Sequence, residues 1–169
     1  GDDVSDARTV RFGVREVTSE LTAEGHRRYL VNGRPILIRG AGWARNLFFM
    51  ETPEREEQEI RLVLDLGLNA VRFEGKLGSD HMLDLADEGG LFVIAGFCCC
   101  DWWENWGGWS DENRATGVAS FRDQLILLRN RPSILAFWYG SDLAAPPDIE
   151  QEYLDIAAET GWPNPLVAS

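Results

Sequence analysis

Charged and aromatic residues recur in this chain where its short apolar runs end. Arg39 and Trp43 follow the first run, Arg72 and Glu74 the second, Asp101 with Trp102 and Trp103 the third, and Ser141 with Asp142 the fourth. Carboxylates in such places can give or take a proton, and arginines can hold negative charge. Parallel α/β barrels keep their active sites at the C-terminal ends of their strands. The pattern therefore favours a functional reading, because a purely structural protein would more often place small turn residues there. Each residue also has a plain structural use. Asp142 can cap the helix after its strand, and Glu74 can pair with Arg72 or Arg39.

The elements that must position these residues are legible in outline. Val10 to Arg15 alternates like a strand, and Tyr29-Leu30-Val31 runs through the turn signal Asn32-Gly33 into Pro35-Ile36-Leu37-Ile38. Polar residues between Thr22 and Arg28 mark the one candidate boundary. After Arg39-Gly40 the rhythm becomes strand and helix in turn, the pattern of parallel α/β architecture. The first helix is expected from Thr52 as cap with Pro53 in the first turn, carrying Ile60, Val63, Leu64 and Leu66 as its apolar stripe. A strand over Asn69–Phe73, a helix over Ser79–Glu88 and a strand over Leu91–Ala95 follow. A Trp- and Gly-rich loop is expected from Cys98 to Gly117, then a helix from Val118 to Asn130 and a strand from Ile134 to Trp138. The next helix is one that Asp148 can cap with Gln151 as reciprocal partner, and Pro165 to Ser169 opens a fifth strand.

Composition narrows the chemistry. A formal charge of -12 disfavours nucleic acid and anionic membranes as partners. The same field favours a cationic substrate, although an acidic surface also serves solubility alone. Cys98, Cys99 and Cys100 are consecutive, so on a strand they point to alternate faces and cannot form one zinc ligand set. His26 and His81 stand in no Cys/His spacing, and no metal site is expected. No apolar run approaches membrane-spanning length, and no signal peptide is visible. The 169 residues suffice for one core but fall short of the roughly 250 of a complete (β/α)₈ barrel. Any barrel reading is therefore also a fragment reading.

Three stretches carry a resemblance to glycoside hydrolase family 2. Tyr29 through Gly40 resembles the family's entry into its catalytic barrel, where a β-sandwich domain hands over to the first barrel strand. Leu66-Gly67-Leu68-Asn69-Ala70-Val71-Arg72 resembles the second strand, and Arg131-Pro132-Ser133-Ile134 with Trp138-Tyr139-Gly140-Ser141-Asp142 resembles the fourth. Most members carry Asn-Glu where this chain has Ser141-Asp142, and the Ser-Asp form is that of the exo-β-D-glucosaminidase branch. Arg72-Phe73-Glu74-Gly75 agrees with that branch, where mannosidase-like relatives have Trp in place of the Glu. So do Cys99-Cys100-Asp101 with Trp103-Glu104, and Ile149 through Asp155.

The resemblance implies a partial (β/α)₈ barrel of about five strands over residues 25–169. Residues 1–24 would end a preceding β-sandwich domain or a linker. It further implies retaining hydrolysis by two carboxylates about 5 to 5.5 Å apart. Asp142 matches the acid/base, while the family's nucleophile is a Glu at the end of a seventh strand that this sequence does not reach. The chain alone is therefore expected to be inactive. Glu74 is assigned to the ammonium of an amino sugar, Arg72 to keeping active-site carboxylates ionised, and Ser141, Asp101 and Trp103 to substrate contact. Trp102, Trp106 and Trp109 share with Trp103 two readings, sugar platforms or packing that closes the barrel top, and Glu104 reads as pocket carboxylate or loop anchor. The implied substrate is chitosan or another amino-sugar oligosaccharide, cleaved without metal or organic cofactor by a secreted parent protein. Competing readings are a β-mannosidase-like exo-glycosidase and a non-catalytic carbohydrate-binding half-barrel. Exposed strand edges would then be covered by the rest of the barrel or by a second copy of the chain.

Overall fold

The computed structural model describes residues 5–48, 50–74, 76–97 and 102–169. Among these residues the strands form two sheets. Strands β1 (Val17–Leu21), β2 (Arg27–Val31) and β3 (Arg34–Ile36) make an antiparallel sheet. Strands β4 (Gly40–Ala44), β5 (Ala70–Glu74), β6 (Phe92–Gly96), β7 (Ile134–Trp138) and β8 (Leu166–Val167) make a parallel sheet in chain order. Helices α1 (Pro53–Asp65), α2 (Asp80–Gly89), α3 (Asp111–Leu128) and α4 (Pro147–Thr160) fill the four crossovers. They pack on one face of that sheet, an α/β arrangement consistent with part of a (β/α)₈ barrel. No described helix is long and apolar enough to cross a membrane.

Local chemistry explains the elements that match expectation. Asn32 and Gly33 both have positive φ, 50° and 72°, which lets the two-residue turn join β2 to β3. Thr52 caps α1 by accepting from the Arg55 N–H at 3.4 Å, and Ser79 caps α2 by accepting from Met82 at 3.0 Å. Of the expected stripe on α1, Ile60 is buried, but Leu64 and Leu66 are exposed because the helix meets the sheet along a narrower face.

Elsewhere the expectation fails for identifiable reasons. Residues 5–16 form no strand, and Phe12 and Val14 are exposed, so their alternation does not record a buried face. The segment is tied instead by the Gly13 N–H to the Asn130 carbonyl at 3.3 Å and by the Arg15 guanidinium, which donates to the Ile134 carbonyl. Within the stretch between Thr22 and Arg28 that holds the candidate boundary, residues 22–26 form the turn of the β1–β2 hairpin, with the Thr22 N–H donating to the His26 carbonyl at 2.8 Å. The loop expected up to Gly117 ends early, because Ser110 and Asn113 form a capping box that starts α3 at Asp111. Gly117 lies inside that helix, where a Cβ would meet the Trp109 ring at 2.7 Å. Pro146, not Asp148, occupies the α4 cap position, and Asp148 is drawn to Arg114 at 2.6 Å.

The core is an aromatic knot between sheet and helices. Phe121 of α3 meets Tyr153 of α4 at 4.5 Å and Phe137 of β7 edge-on at 5.3 Å, and Phe97 joins all three. On the opposite face, Val17 and Tyr29 of the small sheet pack against Ile94, Leu135 and Ala136. A register shift after Val93 lets Leu135 and Ala136 both face that side while Ile134 and Phe137 face the helices. Replacing Phe121 with Ala is expected to cost about 3 to 5 kcal/mol in urea unfolding. Ile126→Ala, on the exposed side of α3, should stay within about 0.5 kcal/mol.

Candidate active site

The charged strand ends gather along one rim of the parallel sheet. At the end of β7, Gly140 sits where a Cβ would lie 2.2 Å from the Ala168 carbonyl oxygen and 2.3 Å from that of Leu143. Only glycine lets the chain turn there, and the turn delivers Ser141 and Asp142. Ser141 is partly buried and its hydroxyl accepts from Arg72 at 2.6 Å. The Arg72 guanidinium also lies 4.9 Å from the centre of the Trp138 ring, a cation–π contact. Arg72, Trp138, Gly40, Gly42 and Ile94 line a cavity of about 300 Å³ on the concave face. Asp142 is exposed at this rim.

Glu104 organises the same loop from the side. It ends a short 3₁₀ turn (Trp102–Glu104), and its Oε1 accepts the N–H of Ser141 at 2.6 Å and that of Leu143 at 3.2 Å. Tyr139, buried just before Gly140, donates its hydroxyl to Glu150 on α4. Burial and the neighbouring carboxylate push that phenol well above its ordinary value.

Other assigned residues fall differently. Glu74 ends β5 with its backbone opposite Ala44, and its side chain lies outside what the structure describes, as does all of Asp101. Trp103 stacks on Phe97 at 5.2 Å with 12° between the rings and meets Trp109 edge-on at 6.2 Å, an arrangement that packs it against the helix layer. Trp106 is buried, whereas Trp102 is half exposed. Trp43 packs toward the same helix side. Arg39 is a correction. The barrel strand starts at Gly40, because residues 34–36 are consumed by the β2–β3 hairpin, so Arg39 precedes its strand. Its guanidinium donates to the Gly67 carbonyl at 2.9 Å at the opposite end of the sheet.

One rim feature went unread in the sequence. Arg45 clasps Glu51 through two bonds of 2.9 and 3.1 Å and donates to the Leu77 carbonyl at 3.2 Å, tying the loop after β4 to the loop after β5. Its only sequence signal was an arginine directly after a strand end. Among the described residues no cluster of His, Cys, Asp and Glu could hold a metal ion.

Comparison with known proteins gives the site its context. No family model matches the chain. It is 40% identical over 173 residues to an exo-β-D-glucosaminidase of Streptomyces avermitilis, covering 98% of this chain and 19% of that protein. It is 37% identical to one of Amycolatopsis orientalis, covering 99% of this chain and 17% of that protein. In fold it matches a variant of the Amycolatopsis orientalis exo-chitosanase CsxA, solved with PNP-β-D-glucosamine. The TM-score is 0.94 and the identity 36%, over 99% of this chain and 21% of that one. A β-D-mannosidase from Dictyoglomus thermophilum shares the fold at a TM-score of 0.75 and 18% identity, over 94% of this chain and 22% of that one. The class to which sequence and fold are similar is that of the glycoside hydrolases. Within it the likeness is to the exo-β-D-glucosaminidases of glycoside hydrolase family 2, of whose length the chain spans about a fifth.

The Arg45 clasp gives a pH test. The hydrogen bond from Arg45 holds the Glu51 carboxyl down from its ordinary 4.5 to about 2. Its contribution to stability is thus complete above about 4.5 and lost as pH falls through about 2. Glu51→Gln is expected to lower Tm at pH 7, with the gap from wild type closing over that acidic window.

Proposed function

We propose that this chain is the first half of the catalytic barrel of a retaining family 2 glycoside hydrolase. The whole protein would release β-linked D-glucosamine from the non-reducing end of chitosan oligosaccharides outside the cell, with residues 1–24 leading in from a β-sandwich domain. What supports the reading is Asp142. It stands at the end of β7 beside Ser141, which Arg72 and Glu104 hold in place. The chain around it is 40% identical to a protein named exo-β-D-glucosaminidase.

In this reaction the Asp142 carboxylic acid gives its proton to the glycosidic oxygen as the bond from that oxygen to C1 breaks. A second carboxylate, assigned to a strand beyond this chain, adds to C1 from the opposite face. Water then displaces that carboxylate and gives its proton back to Asp142. Without the second group the chain by itself leaves the oxocarbenium-like transition state unsupported and is inactive. Glu74 is the residue assigned to the substrate ammonium, through a charge-assisted bond that a neutral hydroxyl would not match.

In the full-length protein, Asp142→Ala is expected to lower chitosan-oligomer hydrolysis by about 10² to 10⁴-fold. Unchanged activity would reduce Asp142 to a loop residue. Glu74→Gln should cut kcat/KM on a β-glucosaminide by about 10 to 100-fold, the worth of a hydrogen bond to a charged group. The matching β-mannoside should be no poorer a substrate for the variant, and a parallel loss on both sugars would remove Glu74 from specificity.

A further inference from the structure

We infer that Glu104 is a positioning residue that sets the aim of Asp142. The inference rests on the acid/base reading of Asp142 and goes beyond it. One carboxylate oxygen accepts from the backbone N–H groups of both Ser141 and Leu143, the two neighbours of Asp142 in the chain. The two bonds hold the Gly140–Ser141 and Asp142–Leu143 peptide planes, which bracket Asp142 one link back on one side and directly on the other. Holding those planes limits the turn through which Asp142 is presented. Residues 141–143 form a bend outside any strand or helix ladder. Arg72 holds the Ser141 side chain.

Glu104 is itself held rigidly. Its neighbour Trp103 stacks on Phe97, and the Trp102 carbonyl accepts both the Asn105 N–H at 3.1 Å and the Trp109 indole N–H at 2.8 Å. The carboxylate therefore projects from a fixed turn onto a less constrained one. A general acid works only if its proton points along the path to the leaving oxygen, so a loss of aim costs rate more than substrate binding.

Two variants separate reach from charge. Glu104→Asp keeps the charge and withdraws the acceptor, and Glu104→Gln keeps an acceptor oxygen at full length. The measurement is kcat/KM of the full-length protein on a glucosamine disaccharide and on 2,4-dinitrophenyl β-D-glucosaminide, whose leaving group needs no proton. Glu104→Asp is expected to lose about 10²-fold on the disaccharide, within the range of general-acid catalysis, and little on the activated substrate. Glu104→Gln should recover most of that loss. Equal losses on both substrates, no loss on either, or a Gln variant as poor as the Asp variant would overturn the role. Asp142→Ala run alongside separates the two claims. If it shows no such substrate split, the acid/base reading itself falls and takes the role of Glu104 with it. If it splits and Glu104→Asp does not, only the inference about Glu104 falls.

Discussion

The rim of this protein depends on one cluster of aromatic rings. Phe97 just after β6 lies within 6 Å, centroid to centroid, of Phe137 in β7, Phe121 in α3 and Tyr153 in α4, and Phe121 lies as close to both Phe137 and Tyr153. Rings of this size dominate a core because each removes a large apolar area from water, and edge-to-face pairs add to that. The rest follows outward from the knot. Trp103 stacks on Phe97 and so fixes the 3₁₀ turn that carries Glu104. Tyr139 meets Tyr153 edge-on at 5.8 Å and so fixes the last buried residue before Gly140. The two sides of the Asp142 loop are thus anchored to the same hydrophobic cluster.

The charges contribute differently. Arg114 with Asp148 and Glu152, and Arg122 with Glu159, link α3 to α4 at partly exposed positions, where such pairs are worth little individually. Arg131 is more enclosed, and reaches Asp84 and Asp87 on α2 beneath the start of β7. At the rim, carboxylates act mainly as acceptors for main-chain or arginine donors. Glu104 serves two backbone N–H groups, and Glu51 serves Arg45 and the Asn46 N–H. An acidic sequence read only as a surface field hides this local use.

Much of the fold was legible, because it was written in signals of short range. Thr52-Pro53 announced α1, Asn32-Gly33 the hairpin, and the apolar run Ile134–Trp138 a strand. What was illegible depended on distant partners. The start of α3 was lost because Gly117 reads as a breaker, and its presence in a helix makes sense only once the Trp109 ring is known to lie against it. Arg39 was placed at a strand end because the apolar run before it looks continuous. In the fold that run is divided between a hairpin strand and a connection that Asn69 holds, accepting the Arg39 N–H at 2.7 Å and donating to the Leu37 carbonyl at 2.8 Å. The site was half legible for the same reason. Ser141 and Asp142 are adjacent in sequence to the strand that presents them, whereas Arg72 reaches Ser141 across 69 positions and Glu104 across 37.

Strand alternation then explains why these groups can share one rim. In β5, Val71 and Phe73 face the helices, so Arg72 between them faces the concave side. In β7 strict alternation would not place Phe137 against the helices and both Leu135 and Ala136 against the small sheet. The register shift opposite Val93 supplies the extra residue that makes this possible. Trp138 consequently returns to the concave side, under the Arg72 guanidinium. A strand without that bulge would turn Trp138 toward the helices, and Arg72 would lose the ring beneath it on its way to Ser141. The irregularity in the sheet is therefore part of the site, since it turns one strand's pattern into a surface on which an arginine, a serine and the neighbouring aspartate can stand together.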